Sequence, residues 1–170
     1  MRLKTKLIHA GQKSDPQTGA VTVPIYQVST YKQESADMDQ EYNYSRAGNP
    51  TRSAVERYIA AIEGGKYGYA FSSGLAALTS ILMTFNAGDH FIVSNDVYGG
   101  TYRLLNQVVN RLNLTSTFVE ATNIEEIEQA IQPNTKAVII ETPGNPLFKV
   151  IDLEKVSRFT KDNKLKLIVD

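Results

Sequence analysis

The chain contains no cysteine, so it has neither a disulfide framework nor a thiolate metal site. Its imidazoles are His9 and His90, far apart in sequence and read more naturally as core or surface residues than as ligands; no metal is expected. It also lacks an excess of charge of either sign: eighteen basic residues face eighteen acidic ones. That balance leaves no electrostatic footprint for nucleic acid or an anionic membrane. Long hydrophobic runs are missing too, and aliphatic stretches such as 137–140 are far too short to span a bilayer. The opening "MRLKTKLIHAG" carries basic residues but no apolar core, so it does not read as a secretory signal. A reducing cytoplasm is the expected setting, with no nucleic-acid or membrane partner.

What is present is a soluble composition, 42% hydrophobic and 21% charged, on a length sufficient for one domain with its own core. From residue 51 onward, short apolar runs alternate with amphipathic stretches. Ala54, Val55, Tyr58, Ile59 and Ile62 share one helical face, opened by Pro50 and Thr51 and closed by Gly64 and Gly65. Strands are predicted at 67–71, 90–94, 115–119, 136–140 and 165–169. Helices are predicted at 75–85, at 124–131, through Leu104, Leu105, Val108, Val109 and Leu112, and through Leu153, Val156 and Phe159. The helix at 75–85 is apolar nearly all round and is expected to be buried. Such alternation requires crossover connections and a mostly parallel sheet with helices on both faces, an α/β fold. Residues 1–50, rich in Gln, Thr, Tyr and Pro with little periodicity, read as an extended N-terminal arm.

In parallel sheets ligands lie beyond the carboxyl ends of the strands, so the residues following each strand carry the interest. In "FSSGLAAL", a helix starting near Gly74 offers unpaired amide groups and the positive end of its dipole to an anion, beside Ser72 and Ser73. Equally, either serine can simply cap the helix. The pattern is neither a dinucleotide fingerprint nor a Walker loop. "NDVYGGTYR" leaves Tyr98 projecting from a glycine turn, able to stack on a flat ring or to pack on its neighbours. "ETPGNP" is a rigid turn that could aim the Asn145 amide into the same crevice. Asp170 ends the strand "KLIVD", either as a cap or as a lone anion suited to a protonated heterocycle nitrogen. "YNYSRAGNPTR" puts Tyr44, Ser45 and Arg46 in the arm, where phenol and guanidinium are good phosphate ligands or ordinary surface groups.

Taken together, "TGAVTVPIYQVSTY", "YSRAGNPTR", "FSSGLAAL", "AGDH", "DVYGGTYR" and "IETPGNPLFKVIDL" resemble, in order and spacing, the Cys/Met-metabolism family of pyridoxal-phosphate enzymes, which includes the cystathionine γ-synthases, γ-lyases and β-lyases and methionine γ-lyase. The resemblance implies a fold-type I, aspartate-aminotransferase-like domain, with residues 1–50 as an arm serving a neighbouring subunit and 51–170 as the first part of the cofactor domain. It implies that the Gly74 and Leu75 amides, with Ser73 beside them, hold the phosphate of pyridoxal 5'-phosphate. Tyr98 would stack on the pyridine ring and assist proton transfer, Asn145 would bond the phenolic oxygen, and Asp170 would face the ring nitrogen. Tyr44 and Arg46 would reach the phosphate of a neighbouring subunit, making the active site a shared one in a homodimer, usually within a homotetramer. Arg103, with Tyr98 and Asn145, would lie on the substrate side, and Asn43 could touch the distal part of the substrate. Leu75 replaces a usual methionine, and Gly144 stands where serine or threonine is usual, which removes any side-chain role there.

Family members are far longer than this chain. The resemblance therefore implies that the cofactor-anchoring lysine, the serine and threonine before it, and the arginine that grips the substrate carboxylate lie beyond Asp170. The parent activity implied is γ-elimination or γ-replacement on cystathionine or homoserine-ester substrates, with cystathionine β-lyase or methionine γ-lyase activity as the alternative. From another class, an inactive fragment or a non-catalytic phosphate-binding module of flavodoxin or receiver type competes. The chain alone is expected to be inactive and to present a bare sheet edge.

Overall fold

The computed structural model describes residues 2–33, 35 and 40–170. The chain forms two compact units, one ending at Phe71 and the other running Ser72–Asp170.

The first unit contains helices α1 (Leu3–His9) and α2 (Pro50–Glu63). Asn49 caps α2, its side chain accepting from the Thr51 N–H, and proline at the first position needs no partner for its missing donor. Gly64 closes the helix at φ 68°, the left-handed conformation that glycine adopts without steric cost. Helix α1 was not foreseen, because seven residues give too little periodicity to stand out in an irregular arm. It is held against α2 by the Tyr58 hydroxyl, which donates to the Leu7 carbonyl at 3.1 Å. Gly11 permits that approach: a methyl there would stand 2.5 Å from the Tyr58 amide nitrogen.

Residues 67–71, predicted as a strand, are not one. They pair with no strand among the described residues, and Tyr67, Tyr69 and Phe71 are exposed. The segment lies against α2 instead, with the Ala70 N–H donating to Glu56 Oε1 at 3.0 Å. Alternation gives a segment the capacity to be a strand, but a ladder also needs a partner edge.

The second unit is a four-stranded parallel sheet in the order β2-β1-β3-β4, built from β1 (His90–Ser94), β2 (Thr115–Val119), β3 (Thr135–Ile140) and β4 (Lys166–Val169). Side chains alternate across the central strands and define two cores. Phe91, Val93, Ala137 and Ile139 face Leu78 and Leu82 of α3 (Gly74–Leu82), with Leu104, Leu105 and Val109. Ile92, Val138 and Ile140 face Ile127 of α5 (Ile124–Gln129) and Val156 of α6 (Leu153–Asp162), with Ile151. The predicted α/β architecture with both faces covered is thus the observed one. Asn123 and Asp152 cap α5 and α6, and acidic residues occupy both first turns, where the dipole favours them.

Two details depart from expectation. Helix α3 is buried on one face only, through Leu78 and Leu82, while Ile81 and the following Met83 are exposed. The predicted helix around residues 104–112 is composite: α4 (Gly99–Arg103) runs into a π-helical turn over Leu104–Val108 and a 3₁₀ turn over Val109–Leu112. The wider turn aligns Leu104 with Val109, five residues on, and swings Val108 and Leu112 out to solvent. No helix among the described residues is long and apolar enough to cross a membrane.

Candidate active site

Because β1, β3 and β4 are parallel, their carboxyl ends open on one side of the sheet. A cleft of about 410 Å³ lies there, lined by Ser73, Gly74, Leu75, Leu78, Tyr98, Thr101, Glu141, Asn145 and Asp170. Six of the residues singled out from sequence (Ser73, Gly74, Leu75, Tyr98, Asn145 and Asp170) therefore share one cavity, although they come from four separate stretches of chain.

Ser73 is the N-cap of α3, and its hydroxyl accepts from the Ala76 N–H at 3.1 Å. The capping reading is thus correct, and it leaves the anion reading intact. Among the described residues the Gly74 and Leu75 N–H groups have no hydrogen-bond partner, as the first amides of a helix cannot find one within it. A methyl built on Gly74 would meet no atom within 4 Å, so protein packing does not require glycine here. The space it leaves borders the cleft.

Tyr98 precedes α4 and is half exposed. The double glycine shapes its seat. A Cβ on Gly100 would stand 2.4 Å from Tyr98 Cε1 and 2.9 Å from Leu75 Cδ1, so the phenol ring lies directly across the missing side chain. The Tyr98 backbone is tied at both ends: its carbonyl accepts from the Tyr102 N–H at 3.1 Å, and its N–H donates to Glu141 Oε2 at 2.7 Å.

Asp170 continues the β3–β4 ladder, donating its N–H to the Ile140 carbonyl at 2.9 Å and accepting from the Thr142 N–H at 3.1 Å. Asn145 lies in a turn with cis peptide bonds at Thr142-Pro143 and Asn145-Pro146. That turn wraps around the buried carboxylate of Asp96, which accepts from the Leu147 N–H at 3.1 Å. Lys149 anchors the far side of the turn on Glu120 at the end of β2. The hydrogen bond from the Lys149 ammonium, and then that from Thr122, holds the Glu120 carboxyl below its ordinary range.

The other named residues are not among those lining this cleft. Arg103 lines a second cleft, of about 580 Å³, with Gly100, Leu104 and Gln107; Leu75 borders both. Tyr44 and Arg46 belong to the first unit, where the guanidinium sits 4.8 Å from the Tyr44 ring centroid, a cation–π contact. Ser45 between them fixes the turn, donating to the Val28 carbonyl and accepting from Asn49 Nδ2 at 3.1 Å. Sequence reading placed Asp96 and Glu141 in the strand-end stretches 96–101 and 141–146 but gave neither a role. Both act by accepting backbone N–H groups from distant loops, and no spacing pattern displays that.

The fold and the cleft define an α/β protein whose strand-end cleft combines a helix N-terminus, an aromatic ring, an amide and a carboxylate. The sequence model of the Cys/Met metabolism PLP-dependent enzyme family matches residues 4–170. A cystathionine gamma-lyase of Bacillus subtilis (strain 168) is 54% identical over 170 residues, covering 100% of this chain and 45% of that protein. A cystathionine beta-lyase of Lactococcus lactis subsp. cremoris is 50% identical over 168 residues, covering 99% and 44%. The crystal structure of a cystathionine gamma-lyase from Lactobacillus plantarum, complexed with L-serine, superposes with a TM-score of 0.94 at 46% identity, covering 100% of this chain and 44% of that one. The chain belongs to the Cys/Met metabolism PLP-dependent enzyme family, whose fold-type I architecture it shares. It spans about half the length of the relatives it matches.

Proposed function

We propose that this chain supplies the first part of the active site of a pyridoxal-phosphate enzyme of transsulfuration, acting by γ-elimination or γ-replacement on cystathionine or homoserine-ester substrates. The observation that carries this reading is the single cleft joining Ser73, Gly74, Leu75, Tyr98, Asn145 and Asp170. The residues fit the cofactor. Free Gly74 and Leu75 amides with Ser73 beside them suit its phosphate, Asn145 its phenolic oxygen, Asp170 its ring nitrogen, and Tyr98 its ring face. When bound, the protonated heterocycle supplies an electron sink for a carbanion at the substrate α-carbon. Asp170 favours the protonated nitrogen that this sink needs. Tyr98 moves a proton through its hydroxyl once that atom lies within hydrogen-bond reach of the reacting carbon or amine.

The nine residues lining the cleft include the carboxylates of Glu141 and Asp170 and no lysine or arginine. A phosphate dianion there needs cations from elsewhere, and the Tyr44–Arg46 pair of a neighbouring subunit is the proposed source, in a homodimer or homotetramer. Arg103 is assigned to the substrate side with Tyr98 and Asn145. A cytoplasmic setting belongs to the same reading, as does the division into an arm, residues 1–50, and the cofactor domain begun at 51.

The test is made on the full-length protein. Uptake of pyridoxal phosphate is followed by visible absorption and products are analysed with cystathionine. Cysteine and 2-oxobutanoate indicate cleavage at the γ-carbon; homocysteine and pyruvate indicate the β-lyase alternative. Asp170→Asn is expected to spare the fold and lower kcat on the order of 10²-fold. A full-length protein that takes up no cofactor and turns over no sulfur amino acid overturns the proposal.

A further inference from the structure

We infer that Glu141 is a positioning residue that sets the height and tilt of Tyr98 over the cleft by accepting the Tyr98 N–H. The inference rests on the role proposed above for Tyr98. Tyr98 Oη has to serve a reacting atom, yet its residue sits in a loop between β1 and α4, half exposed and without side-chain capping of the helix that follows. Three contacts fix it. The ring lies across Gly100, the carbonyl starts α4, and the N–H is held at 2.7 Å by Glu141 Oε2. Of the three, the last carries Tyr98 itself to the β3–β4 end of the cleft, where Asp170 sits, while Asp96 two residues earlier ties the loop to the turn after β3 by accepting the Leu147 N–H.

Glu141 is itself rigidly mounted. Its neighbours Ile140 and Thr142 both bond the backbone of Asp170, at 2.9 and 3.1 Å, which turns the Glu141 amide the other way. That amide donates to Ser94 Oγ at 3.2 Å, and Ser94 is 2% exposed at the end of β1. The Glu141 carboxylate thus refers the position of Tyr98 to the same backbone that carries Asp170. What the glycine-flanked loop gains is an acceptor oxygen fixed in place by the strand ends, which an amide oxygen at the same position also supplies. Stacking ring and carboxylate are thereby indexed to one another before any ligand arrives. This role differs from an electrostatic one toward the cofactor, in which the negative charge of Glu141 would matter and its acceptor geometry would not.

The experiment separates these roles in the full-length protein. Glu141→Gln keeps an oxygen acceptor and removes the charge. Glu141→Ala removes both; Glu141→Met, which keeps the stem, replaces it if the alanine variant does not fold. In cofactor-free protein, hydrogen exchange at the Tyr98 amide is expected to speed about 10-fold or more in the variant lacking the acceptor and to stay near wild type in Glu141→Gln. Amides of Phe91, Ile92 and Val93 in β1 serve as the internal control and are expected not to change. With cofactor loaded, loss of the acceptor is expected to lower kcat about 10-fold, Glu141→Gln to rescue it, and the loss to vanish in a Tyr98→Phe background, because Glu141 acts through Tyr98. Unchanged exchange at Tyr98 without the acceptor, Glu141→Gln as damaging as Glu141→Ala, or a kcat loss additive with Tyr98→Phe overturns the inference. A wild-type protein that fails to take up cofactor overturns the functional proposal instead, and the exchange measurement then decides the Glu141 inference by itself.

Discussion

A methyl group on Gly144 would stand 2.3 Å from Asp96 Oδ2 and 2.9 Å from the Asp96 carbonyl oxygen. Serine or threonine is usual at this position in the family, so a Cβ can be seated there, but in this loop it requires a shift of both the Asp96 side chain and its backbone. Asp96 is 4% exposed, and its carboxylate accepts the Leu147 N–H, so displacing it uncouples the turn that presents Asn145. Gly144→Ala is therefore expected to cost roughly 1–3 kcal/mol, the range for a lost bond to a buried charged group. The check is the urea-unfolding midpoint of the full-length variant together with cofactor affinity, and an unchanged midpoint would show that the loop accommodates the methyl. At this scale the sequence was legible where chemistry resides in the side chain itself, as in Tyr98, Asn145 and Asp170. It placed Asp96 and Glu141 at the strand ends without a role, because their work is to accept backbone amides more than forty residues away.

Among the elements, β1 shows how the sheet is registered. Its first residue, His90, is 1% exposed, and its ring reaches Thr135 Oγ1 through Nδ1 at 2.8 Å and Thr117 Oγ1 through Nε2 at 2.9 Å. One imidazole thus joins β3 and β2 across β1. Burial pushes His90 below its ordinary value of 6.5. The unfolded chain takes up a proton near that value while the native chain resists, so more protons are bound in the unfolded state through this window. The stabilisation is fully present above about pH 6.5 and declines as pH falls toward the lower native value. The expected outcome is a thermal midpoint that drops between about pH 7 and pH 5, with His90→Gln flattening that dependence while lowering stability overall. A slope unaltered by the substitution would assign it to other groups. Strands such as β2 were readable from local β-branched and aromatic runs. The unpaired stretch at 67–71 was not, because pairing is a property of two segments, and neither was the π turn after α4, where packing of Leu104 and Val109 overrides the ordinary helical period.

For the whole molecule, each unit carries one of the two groups proposed for the phosphate: free amides at the start of α3 in one, and a phenol–guanidinium pair in the other. The order of the motifs is what suggests both groups, and sequence does not say whether one chain supplies both to the same site. The residues lining the cleft include no lysine or arginine, so the counter-charge for a phosphate held on the Gly74 and Leu75 amides has to come from elsewhere. If the arm is donated to a neighbouring subunit, full-length Arg46→Ala and Asp170→Asn variants are each expected to be severely impaired, and to recover when subunits are mixed by co-expression. In a mixed dimer one site then carries both lesions and the other neither, so the purified hybrid is expected at roughly half of wild-type activity and the unsorted mixture at roughly a quarter. Donation within the same chain leaves every site with one lesion in any mixture, and activity stays at the level of the single variants. Assay of the co-purified hybrid, with each chain separately tagged, distinguishes the two, and a hybrid no more active than its parents would remove the shared-site arrangement.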